Sequence, residues 1–285
     1  MKKTYIRLTS ALMAAALLTG CSNENSVIQF DDIEYKEQMG GTRTVELGEI
    51  KDLSAMHIAI NSGSIKIVPS DDDNVTVAID YQIYANDHDL CQEFSDRISS
   101  VGEDKDGVYD IKLADKDSGK DIERWICEKG QRCRIELSAD VSVPTYFNNF
   151  SVDVKTGNIT FKDLSGSFIA NAETGNITCT GSNMKKSSDL YCEIGNITIT
   201  SCTFRSDAEI KVKTGNVSFG LPKDNSEGGK VDVSVDTGSV SFKGDTEYSM
   251  EKGSPESGSM SLSAMGCEIS ASVNSGKLKI DKENN

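Results

Sequence analysis

The sequence predicts an all-β fold: a β-solenoid or β-helix-like repeat behind an N-terminal β cap region that contains one short helix. Three observations predict it. A short motif recurs seven times after residue 150, apolar and polar residues alternate on both sides of its glycine, and the glycines keep a near-constant spacing. The motif copies are Lys155–Phe161, Glu173–Cys179, Glu193–Ile199, Lys213–Phe219, Asp236–Phe242, Glu256–Leu262 and Asn274–Ile280. Their glycines are Gly157, Gly175, Gly195, Gly215, Gly238, Gly258 and Gly276, spaced by 18, 20, 20, 23, 20 and 18 residues.

Each copy reads as strand, glycine turn, strand and return loop. Two residues after the glycines stand Ile159, Ile177, Ile197, Val217, Val240, Met260 and Leu278. Four residues after them stand Phe161, Cys179, Ile199, Phe219, Phe242, Leu262 and Ile280. The residues between are Thr, Ser or Lys, so one face of the strand is buried and the other is wet. No single copy can bury its apolar side alone, whereas stacked copies share one continuous core. An antiparallel sandwich of hairpins is the rival, but constant spacing with matched columns favours the stack. Glycine supplies a positive φ at each turn. Asn158, Asn176, Asn196 and Asn216 follow in register, and two explanations fit them. They form a hydrogen-bonded ladder along the stack, or Asn merely tolerates the turn. The sixth copy has Gly253 and Pro255 in its first apolar column, which predicts a loop there.

The region before the repeat follows a looser version of the same template. Ile58–Val68 carries Gly63 at the turn and Ile65 and Ile67 in the two apolar columns. Val75–Tyr81, Val108–Leu113 and Arg134–Val143 read as strands around a charged loop at 114–133. Leu90, Phe94, Ile98 and Val101 recur at helical spacing and predict one helix over 86–101. Residues 45–150 therefore form a cap and 151–281 the repeat region of about seven rungs. A cap is needed because a bare terminal strand invites edge pairing. The charged tail Asp281–Asn285 guards the other end.

The N-terminus is an address. Lys2, Lys3 and Arg7 precede an apolar run, Leu8–Leu18, that is too short to span a bilayer, so 1–20 reads as a signal peptide. Leu18-Thr19-Gly20-Cys21 resembles the bacterial lipobox. That resemblance implies cleavage before Cys21, a thioether-linked diacylglycerol on its sulfur and a further acyl chain, such as palmitate, on its new amine. More than one chain makes a stable anchor. Residues 21–44 then serve as lipidated tether and linker, and the chain is expected at the cell envelope. In a Gram-negative cell, Ser22 resembles a signal for the outer membrane or cell surface.

Charge narrows the partners. The full chain carries a net −15, and residues 1–20 hold three basic and no acidic residues, so the chain from Cys21 on has 27 basic against 45 acidic residues, or −18. A pI near 4.6 excludes a nucleic-acid binder, which needs a basic footprint. No run of 18 apolar residues is present to span a membrane.

The [Ser/Thr]-Gly-[Asn/Asp/Ser]-[Ile/Val] units, Asn61-Ser62-Gly63-Ser64-Ile65-Lys66-Ile67-Val68, and Val143-Pro144 before the first full rung together resemble the bacterial adhesin-type β-strand-repeat domains. That family has no established function. The resemblance spans roughly residues 45–280. It implies a right-handed β-helix-like fold in envelope or secreted proteins, and no catalytic residues.

No motif singles out an enzyme. Lys155-Thr156-Gly157, Lys213-Thr214-Gly215 and Ser182-Asn183-Met184-Lys185 mimic the boxes of penicillin-recognising enzymes, but they fall inside the repeat. His57 and His88 are the only histidines and lack a nucleophile context. Asp71–Asp73, Asp104/Asp106 and Asp115/Asp117/Asp121 offer oxygen ligands for Ca²⁺, but Lys120 and Ile126 stand where a Ca²⁺ loop needs Gly and Glu. They read as solvated loop acids, with no metal or other cofactor. Apart from Cys21, seven cysteines remain. Cys179 and Cys192 sit in inward columns as small apolar residues. Cys127 and Cys133 form a possible disulfide, with Cys91 as the competing partner, and Cys202 and Cys267 are unassigned. The expected function is a non-enzymatic, envelope-tethered, adhesin-like module that presents a flat face to a protein or glycan. The alternative is a structural or stress-linked accessory that binds a membrane partner through the cap. A carbohydrate-active β-helix enzyme ranks third.

Overall fold

The computed structural model describes residues 35–129, 133–221, 229–243, 248–251, 256–262 and 267–282. The expected signal peptide, Cys21 and most of the tether lie outside the described residues. The chain is mostly β, with two helices and one large mixed sheet.

The N-terminal part contains β1 (Glu37–Glu49), β2 (Ala55–Ser62), β3 (Ser64–Pro69), β4 (Asn74–Ala85), α1 (His88–Arg97), β5 (Ile98–Lys105), β6 (Val108–Asp115), α2 (Ile122–Glu128) and β7 (Cys133–Val143). The single expected helix is shorter than its apolar spacing suggested. Asp87 caps α1 by accepting from the Asp89 N–H, and the helix ends at Arg97. From Ile98 the period changes to two: Ile98 and Ser100 point inward in β5 and Val101 does not. A second helix, α2, stands in the stretch read as a charged loop. Asp121 caps it by accepting from the Arg124 N–H at 2.9 Å. Ile122, Trp125 and Ile126 bury one side of it, and Trp125 meets Phe94 of α1 edge-on at 5.5 Å between ring centroids.

The second part contains β8 (Asn149–Lys162), β9 (Ser165–Thr180), β10 (Asn183–Met184), β11 (Ser188–Thr200), β12 (Thr203–Phe204), β13 (Ala208–Leu221), β14 (Gly229–Lys243), β15 (Tyr248–Glu251), β16 (Glu256–Leu262) and β17 (Cys267–Lys282). The long strands pair parallel and in register. Gly157 lies opposite Gly175, Gly175 opposite Gly195, Gly195 opposite Gly215, Gly215 opposite Gly276 and Gly276 opposite Gly238. Together β2 and β3 form the first rung, bent at Gly63, with Ser62 opposite Thr156 and Ile65 opposite Ile159. The return segments stack as well, with β10 pairing both the start of β9 and β12.

The order of rungs departs from the order of repeats. The last copy, β17, lies between β13 and β14 and pairs parallel with both. This keeps Glu209 and Asp232 apart, each opposite Ser270. Glu209 still stands directly opposite Asp189 on its other side, so the arrangement spares it a second facing carboxylate and does not remove the first. The sixth copy leaves the register altogether. Gly258 sits in β16, antiparallel to β14 and opposite Val233. Its would-be first strand contains Pro255, which has no N–H to give to a parallel neighbour.

Inward columns fill the core. Val152, Ala170, Leu190, Ile210 and Ala271 are buried on one side of the glycines, and Ile159, Ile177, Ile197, Val217 and Leu278 on the other. Full burial of each such branched side chain is worth about 1.5–3 kcal/mol. Cys179, Cys192 and Cys202 belong to this core, and burial pushes the Cys179 thiol well above its ordinary range. Phe150, Phe161 and Phe168 pack together, with ring centroids 5.0 to 6.4 Å apart.

The glycines are required by close approach. Gly175 has φ +148°, and a Cβ there would overlap the Gly157 carbonyl of the adjoining rung. The same overlap recurs along the stack from Gly157 to Gly238. The Asn column forms a ladder. Asn176 Nδ2 donates to Asn158 Oδ1 at 2.9 Å, Asn196 to Asn176 at 2.9 Å, and Asn216 to Asn196 at 2.8 Å. Several Oδ1 atoms also accept the next rung's backbone N–H. Asn therefore does more than tolerate the turn.

Gly175→Ala should lower stability by about 3 kcal/mol or more, since strain and overlap combine. Gly107→Ala, at φ +85° with nothing within 4 Å of a new Cβ, should cost only about 1–2 kcal/mol. Urea unfolding of the two variants checks the ranking, and equal midpoints would refute it.

Candidate functional site

Alternation gives the stack two outward faces, one before the glycines and one after. On the face before them, β8, β9, β11 and β13 present Ser151, Asp153, Lys155, Ile169, Asn171, Glu173, Asp189, Tyr191, Glu193, Glu209, Lys211 and Lys213. Eight of those twelve are charged. On the face after them the same strands present Asn158, Thr160, Lys162, Asn176, Thr178, Thr180, Asn196, Thr198, Thr200, Asn216, Ser218 and Gly220, with Lys162 the one charge.

The charged face contains a cleft of about 300 Å³ where cap and stack meet, lined by Ala59, Ile60, Asn61, Asp121, Asp153, Val154, Lys155, Asn171 and Glu173. Ala59 makes the dent: it stands opposite Asp153, in a column that continues with the larger Asn171 and Tyr191. On one flank, His57 Nδ1 is 2.7 Å from Asp110 and Nε2 is 3.1 Å from Asp153. Asn171 Nδ2 donates to the other Asp153 oxygen at 2.7 Å. Burial pushes the Asp110 carboxyl up, but hydrogen bonds from Lys105 and His57 outweigh it and hold the group below its ordinary value. Both His57 nitrogens face carboxylates, so neither is presented to a nucleophile.

Behind the cleft, α2 sends Glu123 onto the edge of β2. Its carboxylate accepts from the Asn61 and Ser62 backbone N–H groups at 3.1 and 2.9 Å and from Asn61 Nδ2 at 2.5 Å. Burial pushes the Glu123 carboxyl above its ordinary value despite those bonds. Asp115 behaves oppositely. Hydrogen bonds from Arg97, at 2.5 and 2.7 Å, hold its buried carboxyl far below the usual range. Lys155 has no ion-pair partner among the described residues. The cleft thus offers one ammonium, several carboxylates, two amides and an apolar floor, a set suited to hydrogen-bonding a small polar group.

The residues singled out from sequence are dispersed. Gly63, Gly157, Gly175, Gly195, Gly215, Gly238 and Gly276 line the bend at positive φ, and Gly258 stands apart in β16. Ser182 is buried and hydrogen-bonded to the Thr180 carbonyl and the Leu164 N–H, away from both Lys-Thr-Gly turns. Asp72 caps a local turn at Asn74, Asp115 and Asp117 face Arg97, and Asp121 caps α2. Among the described residues no three His, Cys, Asp or Glu side chains converge as metal ligands do. Cys91, Cys127 and Cys133 are thiols gathered in the cap. Cys133 lies opposite Ala85 in the β4–β7 pair, and burial pushes its thiol up to about 11. Sequence reasoning named His57 and Lys155 but gave them no role at this cleft, and it missed Glu123. The outward placement of His57 was legible from the alternation over Met56–Ser62, but nothing pointed to Glu123.

No family model matches the chain, and no curated protein matches its sequence. Its structure is similar to those of bacterial proteins provisionally designated adhesins. For a cell adhesion protein, so designated, from Clostridium sporogenes, identity is 12%, coverage 86% of this chain and 100% of that one, and TM-score 0.41. For an adhesin, so designated, from Bacteroides fragilis, the values are 14%, 87%, 98% and 0.33. For a protein from Parabacteroides distasonis designated lipid-binding they are 14%, 86%, 97% and 0.30. At these values the likeness says nothing of a ligand.

The raised Glu123 pKa means that its contribution to stability is complete below the ordinary Glu value, about 4.3, and fades as pH rises through the folded value. The wild type should therefore lose stability relative to Glu123→Gln from pH 4 to pH 7, measured by urea unfolding. A wild type that gains stability relative to the variant over that range would contradict the assignment. Glu123→Ala should cost about 1–3 kcal/mol by stranding the Asn61 and Ser62 N–H groups.

Proposed function

We propose that this chain is a cell-envelope lipoprotein, anchored by acyl chains on Cys21, whose rungs form a β-solenoid that presents its outer surface to a ligand. It acts as an adhesin-like binding module and not as an enzyme. The observation that carries this reading is the contrast between interior and exterior. The inward columns are apolar and packed, while the outward columns form broad polar surfaces on parallel strands locked by the Asn ladder. A rigid face held on a lipid tether suits capture of something outside the membrane.

Support for the anchor comes from the order of a basic segment, a short apolar segment and Leu18-Thr19-Gly20-Cys21. Among the described residues no helix is long and apolar enough to cross a membrane. The rival reading, an accessory that docks on a membrane partner through the cap, makes a different prediction about contact.

Cys21→Ala should move the chain from the membrane pellet to the soluble fraction and abolish incorporation of labelled palmitate. In-cell crosslinking with mass spectrometry should place partner contacts on the outward rung positions of β8 to β14. Contacts confined to residues 80–135 would favour the accessory reading instead.

A further inference from the structure

We propose that the cleft between cap and stack binds a free α-amino acid with a short aliphatic side chain. This goes beyond the binding-module reading and holds with or without the lipid anchor. Two charged side chains in the cleft carry it. Asn61, Lys155, Glu173, Glu193 and Lys213 follow one another on successive rungs, each lying between matched positions such as Val154 opposite Ala172 and Thr156 opposite Thr174. Lys213 Nζ donates to Glu193 Oε1 at 2.6 Å. Lys155 and Glu173 stand in the same column on adjoining rungs. Yet they make no ion pair or side-chain hydrogen bond with each other or with any other described residue. The rest of the cleft is partly engaged. Asp153 faces His57 and accepts from Asn171, and Asp121 accepts the Arg124 N–H. Asn61 Nδ2 donates to Glu123 and Asn171 Nδ2 to Asp153. The two Asn carbonyl oxygens are left as acceptors, with no donor among the described residues.

One cation and one anion without partners select a ligand that carries both charges. A simple anion would meet Lys155 but be repelled by Glu173, Asp121 and Asp153. A simple amine would meet Glu173 but place a second cation beside Lys155. A zwitterion satisfies both. Its carboxylate accepts from Lys155 Nζ, and its ammonium donates to Glu173 and to the Asn61 and Asn171 carbonyl oxygens. Adjoining rungs stand about 4.8 Å apart. That spacing suits two charged groups borne on one carbon, and not two at the ends of a long chain. The cleft is about 300 Å³, at the small end of the range for ligand pockets. Ala59 and the buried Ile60 and Val154 make its floor apolar, so the side chain that fits is short and aliphatic.

The test is isothermal titration calorimetry of the intact chain, purified in mild detergent, with L-alanine, L-valine, betaine, propionate and propylamine. Alanine or valine should saturate the chain at or below about 1 mM. Propionate and propylamine each carry one of the two charges and should bind roughly tenfold more weakly or worse. Betaine keeps both charges but has no N–H to give, so it should bind more weakly as well. Lys155→Met and Glu173→Gln should each weaken amino-acid binding about tenfold, the loss of one charge-assisted hydrogen bond. Both residues are exposed, so thermal melts of the variants should match the wild type. Lys230→Gln, on β14 at the far end of the stack, should leave the affinity unchanged. No saturation by either amino acid, equal binding of propionate or propylamine, or unchanged affinity in both cleft variants would overturn the proposal. Partner crosslinks on the rungs of a chain that binds no amino acid would sink this site and spare the binding-module reading.

Discussion

Everything in the stack depends on how closely one glycine bend sits over the next. The carbonyl of each bend glycine occupies the space where a Cβ of the adjoining rung would stand. That approach fixes the register, since a shift by one residue would put a side chain under a carbonyl. With register fixed, the alternation before and after the bend sends every second residue inward. The Asn ladder follows from the same constraint, because amides one residue past the bend come within hydrogen-bond reach only when the bends superpose. Core, ladder and flat outer faces are thus consequences of a single contact.

A parallel stack has two ends, and the cap deals with one of them in parts. The first rung is broken at Gly63, and its two halves are covered differently. Over Met56–Ile58 it pairs with β6, and over Ser64–Pro69 with β7. Between these strands the N–H groups of Asn61 and Ser62 meet the Glu123 carboxylate. One acidic side chain from a short helix thus stands in for a missing length of strand.

Legibility in the sequence followed how local each cause is. The apolar columns and the bend glycines announced themselves because each rung carries its own copy. Helix α2 was hidden by charge: Asp121-Ile122-Glu123-Arg124-Trp125-Ile126 contains a cap and an apolar side, but Lys and Glu around it read as loop. Helix α1 was overextended because Ile98 and Val101 fit a helical period as well as the start of β5. The place of β17 was beyond reach, since its motif matches its neighbours and any repeat could sit in any slot. The cleft was invisible for a related reason, as it joins Asn61, Asp121 and Glu173, which are distant in sequence and belong to no common motif.

The position of β17 has a consequence for how the chain assembles. Its pairing with β13 spans 61 residues, from Gly215 to Gly276, whereas β8, β9, β11 and β13 pair with one another over 18 to 20 and the first rung joins β8 over 94, from Ile65 to Ile159. Loop closure over that distance is costlier, so the β8 to β13 part of the stack can form while the slot beside β13 is still open. An open slot is an unpaired edge with a full set of N–H and C=O groups. The chain's own C-terminal strand fills it, carrying Ile269, Ala271, Val273, Leu278 and Ile280 into the shared core. Local pairing thus joins β8, β9, β11 and β13, and long-range pairing adds the first rung at one end and β17 at the other. The column of Asn amides ends where that strand begins, since the Asn216 Oδ1 accepts the backbone N–H of Lys277.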